Sequence, residues 1–521
     1  MGADESLQAK VLEFLGRTGS YTPPPRTVEH IDTHASSVFL AGDFVYKVKR
    51  AVTYPFLDFS TLEARHAACL NELRVNARTA PQIYLEVLPV TIGVNGDFRL
   101  GGEGEAIEWV VKMRRFDQAA LYDRMAAEGR LGVELMPALA AAIATFHDVA
   151  DRVISADQAV PPLESVLSDH AETFASHSAI FESEAVKSLV AESDESLARL
   201  APLLAARGQG GYVRHCHGDL HLRNIVEIDG APVLFDALEF DDRLATIDVL
   251  YDLAFLLMDL GKRGLGHHAN AVLNAYLDAE GDTGNLIGLA AMPLFLSMRA
   301  AVRAKVEALR ARLAEAREAA TARDEARTYF ALAKTFLAPP APRLIAIGGL
   351  SGSGKSAVAR AIAPHIGAFP GAVHVRSDVE RKRLFGASPL ERLPGHAYAP
   401  EVTREVYAMC RKRALMALEG GQAAIVDAVQ ARPEERAALE SLAAEMGVPF
   451  SGLWLEAPAE LLRDRVAARV GDASDATAEI VDIQLGYEIG PQSFEVIDAR
   501  GSVDDVAASC LERIGASPHA S

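Results

Sequence analysis

The segment Gly349-Leu-Ser-Gly352-Ser353-Gly354-Lys355-Ser356 constrains this 521-residue chain more than any other. It fits G-x-x-x-x-G-K-[ST] in full. It follows Arg343-Leu-Ile-Ala-Ile-Gly348, which reads as a short buried strand, and it opens a helical pattern. Strand, glycine loop and helix in that order make a phosphate cradle. The glycines let backbone N–H groups curl around phosphate oxygens, and the helix N-terminus adds a favourable dipole. In such a loop, formed by Gly349, Gly352, Ser353 and Gly354, Lys355 reaches the β/γ-phosphates of ATP and the Ser356 hydroxyl ligates Mg²⁺.

The chain beyond the loop alternates strand and helix. Strand candidates at 343–348, 373–377, 423–428, 450–457 and 494–499 predict an α/β domain with a parallel sheet covered by helices. Val375-Arg-Ser-Asp378 ends one of them. An acid at the carboxyl end of a parallel strand faces the ligand crevice, so Asp378 is a candidate base for an acceptor hydroxyl. It is equally suited to cap a helix. Arg381 follows as a candidate holder of an anionic acceptor group, or as part of a solvated face. Ala423-Ala-Ile-Val-Asp427 is an apolar strand ending in an acid of Walker-B form, which would hold Mg²⁺ through water. Arg463, Arg465 and Arg469 fall on one expected helix before the polar segment Gly471–Asp475. Arg465 and Arg469 are candidates to close over the transferring phosphoryl group, with a solvated arginine face as the alternative.

Ala338-Pro339-Pro340-Ala341-Pro342 cannot continue a helix and marks a linker at 339–342. Residues 1–338 and 343–515 are then separate domains. The first divides again into a small sheet lobe at about 28–115 and a helical lobe at about 116–338. In the small lobe, Ser37–Leu40 and Phe44–Lys49 alternate around Ala41-Gly42-Asp43 as a hairpin. Ser60-Thr-Leu-Glu63 reads as a capping box opening a helix to about Arg78. One or two long helices are expected across 297–337, and a short β-like insert at 216–240.

That insert carries the second set of chemistry. His217-Gly-Asp219-Leu-His-Leu-Arg-Asn224 puts an Asp and an Asn five residues apart in a loop. Kinase catalytic loops use that spacing: the Asp accepts the acceptor-hydroxyl proton and the Asn helps ligate Mg²⁺. Val233-Leu-Phe-Asp236 follows as a strand ending in a candidate metal-ligating acid. A phosphate-orienting lysine and a partner Glu are also required. Lys47 is assigned with Glu72 on the capped helix, and Lys49, on the same strand face, stays open as the alternative. Glu108–Met113 reads as the strand entering the hinge between lobes.

The motif His217–Asn224, Asp236 behind it and Asp252-Leu-Ala254 resemble the aminoglycoside phosphotransferase family, whose fold is protein-kinase-like. In that family the acid after the second metal motif is structural, which implies that role for Asp252. The second domain resembles small P-loop kinases, a group that includes gluconate kinase-like and zeta-toxin-like enzymes. The whole chain is similar to bacterial fusions of an aminoglycoside phosphotransferase-like domain with a P-loop ATP-binding domain. The resemblance implies an α+β kinase-like domain followed by an α/β P-loop domain, and ATP/Mg²⁺-dependent transfer to a hydroxyl of a small molecule. Phe-Asp236-Ala-Leu-Glu-Phe departs from antibiotic kinases, which commonly place an aromatic directly after the Asp. Two other readings stay open: a regulatory nucleotide switch beside a ligand-binding pseudokinase, and an aminoglycoside resistance enzyme.

Composition narrows the partners. With 52 Lys+Arg against 71 Asp+Glu, the net charge is −19. That balance argues against nucleic acid, which rewards dense positive charge. The apolar run Val249–Leu260 is short and holds Asp252 and Asp259, which argues against a membrane span. Four scattered cysteines and an acidic start without an apolar core fit a cytoplasmic protein.

Overall fold

Period-two alternation builds the front sheet. Strands β1 (Val28–Asp32), β2 (Ser36–Ala41), β3 (Phe44–Lys49), β4 (Tyr84–Ile92), β5 (Phe98–Leu100) and β6 (Glu105–Arg114) form one antiparallel sheet in the order β1-β2-β3-β6-β4-β5. The computed structural model describes residues 3–516 apart from positions 34, 55–56, 94, 282, 314, 389 and 470. Alternation sends Tyr46, Val48 and Val110 to one face, where Val11 and Leu15 of the Ala3–Leu15 helix complete a core. It sends Val111 and Met113 to the other, against Cys69 of the Leu62–Asn76 helix and Val226 and Val233. Strand faces alternate in this way because successive side chains point to opposite sides of the pleat. The helix at Ala3–Leu15 was not expected from the sequence. The helix at Leu62–Asn76 starts one residue later than a Ser60 cap would place it, because Thr61 accepts from the Ala64 N–H.

Residues Ile225–Ile228 (β7) and Ala231–Leu234 (β8) form a hairpin directly after the catalytic-loop motif. The long helical region resolves into Met292–Leu313 and Ala316–Leu337. The segment Gly284–Arg312 is long and apolar enough to cross a bilayer, but 78% of its apolar window is buried inside the protein, as in a core helix.

The second sheet is parallel. Strands β9 (Leu344–Gly348), β10 (Val373–Arg376), β11 (Ala424–Asp427), β12 (Phe450–Glu456) and β13 (Glu495–Asp498) lie in the order β10-β11-β9-β12-β13. Each falls within a residue or two of its expected span. Near-continuous apolar strands such as Leu344–Ile347 are buried on both faces, as parallel sheets require.

By internal contacts the chain forms two compact units. One comprises Met1–Gly132, Thr145–Val153 and Val213–Asp252; the other comprises Val133–Ala144, Ile154–Tyr212 and Leu253–Ser521. The second unit therefore holds the helices from Leu253 to Leu337 together with the P-loop layer.

Candidate active sites

In the first unit, Lys47 and Lys49 leave β3 on the same face and both reach Glu72. Lys47 Nζ donates to Glu72 Oε1 at 2.7 Å and to Asp236 Oδ1 at 3.0 Å. Lys49 Nζ lies 2.6 Å from Glu72 Oε2 and also donates to Glu239. Neither lysine is the solubilising charge of an edge hairpin: β3 is an interior strand and Lys49 is 1% exposed. Of the two, Lys47 also reaches Asp236. Burial works against the charge on both lysines. The carboxylates of Asp236, Glu72 and Glu239 outweigh it and hold Lys47 well above its ordinary pKa. Burial likewise works against the Glu72 carboxylate, but the two lysines bring it down to about 2.

The loop that presents Asp219 is pinned from beneath. Asp252 accepts the N–H groups of His217 (3.1 Å) and Gly218 (2.9 Å), and His147 Nε2 lies 3.1 Å from the same carboxylate. Asn224 Nδ2 donates to Asp219 Oδ2 at 3.0 Å and to the Asp219 carbonyl at 2.9 Å, and lies 3.4 Å from the Asp236 carbonyl. Asp236 adopts a left-handed backbone, φ 58°. A non-glycine residue held there marks a position fixed by its surroundings. One fixing contact is Asn76, whose Oδ1 accepts the Ala237 N–H at 2.8 Å while its Nδ2 donates to the Glu72 carbonyl at 2.9 Å. Asn76 and Glu239 were not among the expected residues. The signal for Asn76 is its place one turn after Glu72 on the same helix face.

In the second unit, the P-loop joins β9 to the Lys355–Ile362 helix. Gly352 is required on two counts: its φ is +85°, and a Cβ would meet the Leu462 carbonyl oxygen at 2.3 Å. Lys355 Nζ donates to the Leu350 carbonyl at 3.0 Å, and burial lowers its pKa. The Ser356 hydroxyl donates to Asp427 Oδ2, and His374 Nε2 lies 3.3 Å from the same oxygen. Burial works against the charge on Asp427, but its bond from His374 and the charge of Lys355 outweigh it and hold its pKa well below the ordinary carboxylate value. Asp378 is not a helix cap, since the Ser377–Leu384 helix is capped at Arg376. It is half-buried, and desolvation and the neighbouring Asp427 raise its pKa.

Lys355, Ser356, Asp378, Arg381, Asp427 and Arg469 line one cavity of about 1480 Å³. Arg381 is buried, with Nη1 donating to the Ala397 carbonyl at 2.6 Å and Nη2 to Thr403 Oγ1 at 3.3 Å. The three expected helix arginines separate. The helix ends at Ala467, so Arg469 lies beyond it and lines the cavity. Arg463 pairs with Asp482 at 2.7 Å and does not line the cavity. Arg465 lines the cavity but donates to the carbonyls of Ala499 (2.9 Å) and Gly501 (3.2 Å). The polar segment after them is tied down: Asp472 pairs with Arg376 at 3.0 Å and Asp475 with Lys382 at 2.8 Å.

Both sites offer donor sets that suit a hard divalent cation. Asn224 with Asp236, and Ser356 with Asp427, are oxygen ligands of the kind Mg²⁺ takes beside nucleotide phosphates.

Residues 43–287 match the Phosphotransferase enzyme family, and residues 344–487 match an AAA domain family. An uncharacterized protein of Mycobacterium tuberculosis (strain ATCC 25618 / H37Rv) is 30% identical over 459 residues, 86% of this chain and 88% of the relative. Among solved structures, a choline/ethanolamine kinase family protein from Mesorhizobium loti is 15% identical, covering 63% of this chain and 94% of its own, with a TM-score of 0.39. A gluconokinase from Sinorhizobium meliloti is 19% identical, covering 34% of this chain and 94% of its own, with a TM-score of 0.25.

Proposed function

The chain belongs to the same family as its mycobacterial relative and joins an aminoglycoside phosphotransferase-like domain to a P-loop kinase domain; from that premise we propose that it is an ATP/Mg²⁺-dependent phosphotransferase acting on a hydroxyl of a small molecule, with a second small-molecule kinase in its P-loop domain. The observation that carries the reading is the convergence of Lys47, Glu72, Asp219, Asn224 and Asp236 in one unit, with every member in contact with another. A pseudokinase need not keep that set.

In the first reaction the acceptor oxygen attacks the γ-phosphorus, the bond to the β–γ bridging oxygen breaks, and ADP leaves. Asp219 takes the acceptor's proton, and Asn224 orients the Asp219 carboxylate. Lys47 holds phosphate oxygens while Glu72 holds Lys47. Asn224 and Asp236 would hold Mg²⁺, which neutralises charge developing on the phosphates when bound. In the second, Lys355 and the glycine loop hold the phosphates, Ser356 and Asp427 would hold Mg²⁺, and Asp378, with its raised pKa, is placed to take the acceptor proton. Arg381 and Arg469 line the same cavity, where Arg381 would hold an anionic acceptor group and Arg469 would close over the transferring phosphoryl group. Small molecules are the expected substrates. Four buried free cysteines fit action in the reducing cytoplasm.

The test is ADP release from ATP by the full chain with pools of sugars, amino alcohols and aminoglycosides, repeated with Asp219→Asn and Lys355→Ala. Acceptor-dependent ADP release lost in Asp219→Asn supports the first-unit reading. Turnover indifferent to both substitutions would sink the proposal.

A further inference from the structure

Strand β10 is an edge of the parallel sheet, paired only with β11. An edge strand leaves backbone groups on its outer side that need partners. Here the partners are side chains of the Gly266–Glu280 helix. Asn274 Oδ1 accepts the His374 N–H at 2.7 Å, and Asn274 Nδ2 donates to the Ala372 carbonyl at 3.1 Å. Those are the acceptor and donor that a neighbouring strand would supply. Asn270 Nδ2 donates to the same Ala372 carbonyl at 3.1 Å, and its own Oδ1 accepts from Asn274 Nδ2 at 3.1 Å. The approach is close: a Cβ at Gly371 would meet Asn270 Nδ2 at 2.9 Å. Asp278 extends the stripe by one further turn and accepts from Arg383 at 3.3 Å, on the helix that carries Asp378. Positions 270, 274 and 278 share one helix face by their spacing of four.

The clamped strand leads directly to the nucleotide chemistry. His374, whose N–H Asn274 holds, points its buried ring at Asp427, with Nε2 3.3 Å from Oδ2. Asp427 also takes the Ser356 hydroxyl. Residues 270–278 lie inside the segment that matches the Phosphotransferase enzyme family, while the site lies inside the AAA domain segment.

We propose that Asn274 and His374 are positioning residues of the P-loop site, the helix amide fixing the β10 edge so that the imidazole holds the Asp427 carboxylate toward Ser356. The inference rests on the reading of that site as an Mg²⁺–nucleotide site. It makes the Gly266–Glu280 helix a structural part of the P-loop kinase. Among the described residues, no hydrogen bond or ion pair joins Asn274 or His374 to the glycine loop or Lys355. They act on the metal-side acid alone, and outer partners of a metal ligand affect metal affinity by about 10–100-fold.

The experiment uses the full chain with Lys47→Met to silence the first nucleotide site. The probe is a fluorescent, non-hydrolysable ATP analogue, titrated with Mg²⁺ and again in EDTA. Asn274→Ala and His374→Val are expected to lower the Mg²⁺-dependent gain in affinity about 10-fold while affinity in EDTA stays within about 2-fold. His374→Gln, which keeps a donor to Asp427, is expected to recover most of the gain. Hydrogen exchange at the His374 amide should accelerate in Asn274→Ala, which reports the clamp without reference to nucleotide. An unchanged Mg²⁺ gain in both variants overturns the proposal. So does an equal loss with and without Mg²⁺, which is a merely structural effect, or a parent chain whose binding gains nothing from Mg²⁺. If Lys355→Ala leaves analogue binding intact, the nucleotide reading of the site fails first, and the positioning role falls with it.

Discussion

The two sites hold their phosphate-directed lysines in opposite ways. Lys47 sits among carboxylates from two separate stretches of chain, Glu72 on one and Asp236 and Glu239 on the other, which raise its pKa. Lys355 opens the helix after the glycine loop, donates to the Leu350 carbonyl, and has its pKa lowered by burial. The first site is neutralised from within, so an incoming phosphate competes with Asp236 and Glu72 for the lysine. The second presents an under-compensated cation and a helix N-terminus, and so seeks an anion. Nucleotide is therefore expected to bind the second unit more tightly than the first, which calorimetry on the full chain and on Lys47→Met and Lys355→Ala would resolve.

The largest expected effect falls on the first site. Asp219→Asn should reduce acceptor-dependent turnover there by about 10²–10⁴-fold with ATP affinity nearly unchanged, because the residue serves the proton and not the nucleotide. Steady-state kinetics beside equilibrium binding checks this, and near-normal turnover would remove Asp219 from its role. Next, Lys355→Ala and Lys47→Ala should each silence nucleotide use at their own site and spare the other. Measuring both activities in both variants would break the comparison if either substitution abolished both in a folded protein.

Lys49→Met sharpens it through stability. It leaves Glu239 and one oxygen of Glu72 buried without their cation, and breaking a buried pair from one side costs about 3–5 kcal/mol. Denaturant unfolding should show that loss, while Arg463→Ala, at an exposed pair, should shift stability by less than about 1 kcal/mol.

Acid should separate the sites by a different route. Glu72 has its pKa depressed to about 2 from 4.5, so its contribution is complete above the ordinary carboxylate range and is lost as pH falls through the folded value. The stability advantage of the parent chain over Glu72→Gln should therefore be full above about pH 4.5 and shrink as pH falls below it, the two converging in acid unfolding. Asp378 is shifted the other way, so the acidic limb of kcat/KM for the second reaction should lie above the ordinary carboxyl range. A limb at or below that range would argue against Asp378 as the base.

Contiguous features were legible because local chemistry demands them. Gly349–Ser356 requires glycines wherever backbone must approach phosphate, and the five parallel strands announce themselves as apolar runs between helical stretches. Asp219, Asn224 and Asp236 were legible for the same reason: they fall within eighteen residues of one loop and hairpin. The choice between Lys47 and Lys49 was not legible, since both share a strand face and both reach Glu72. Contact with Asp236, 189 residues away along the chain, separates them. Nor could spacing on an expected helix reveal that Arg463, Arg465 and Arg469 would part company, because the helix end and the carbonyls of Ala499 and Gly501 decide it.

The sequence by itself determined which two kinase-like domains this chain carries, through motifs whose residues lie close together and whose backbone needs are local. Tertiary structure alone decided which charges meet. Glu72 came to hold two lysines, His374 came to face Asp427, and Asn274 came to close a sheet edge about a hundred residues away. The physical reason is that a buried charge or an open strand edge must find a partner wherever the fold brings one, and one-dimensional spacing carries no record of that meeting.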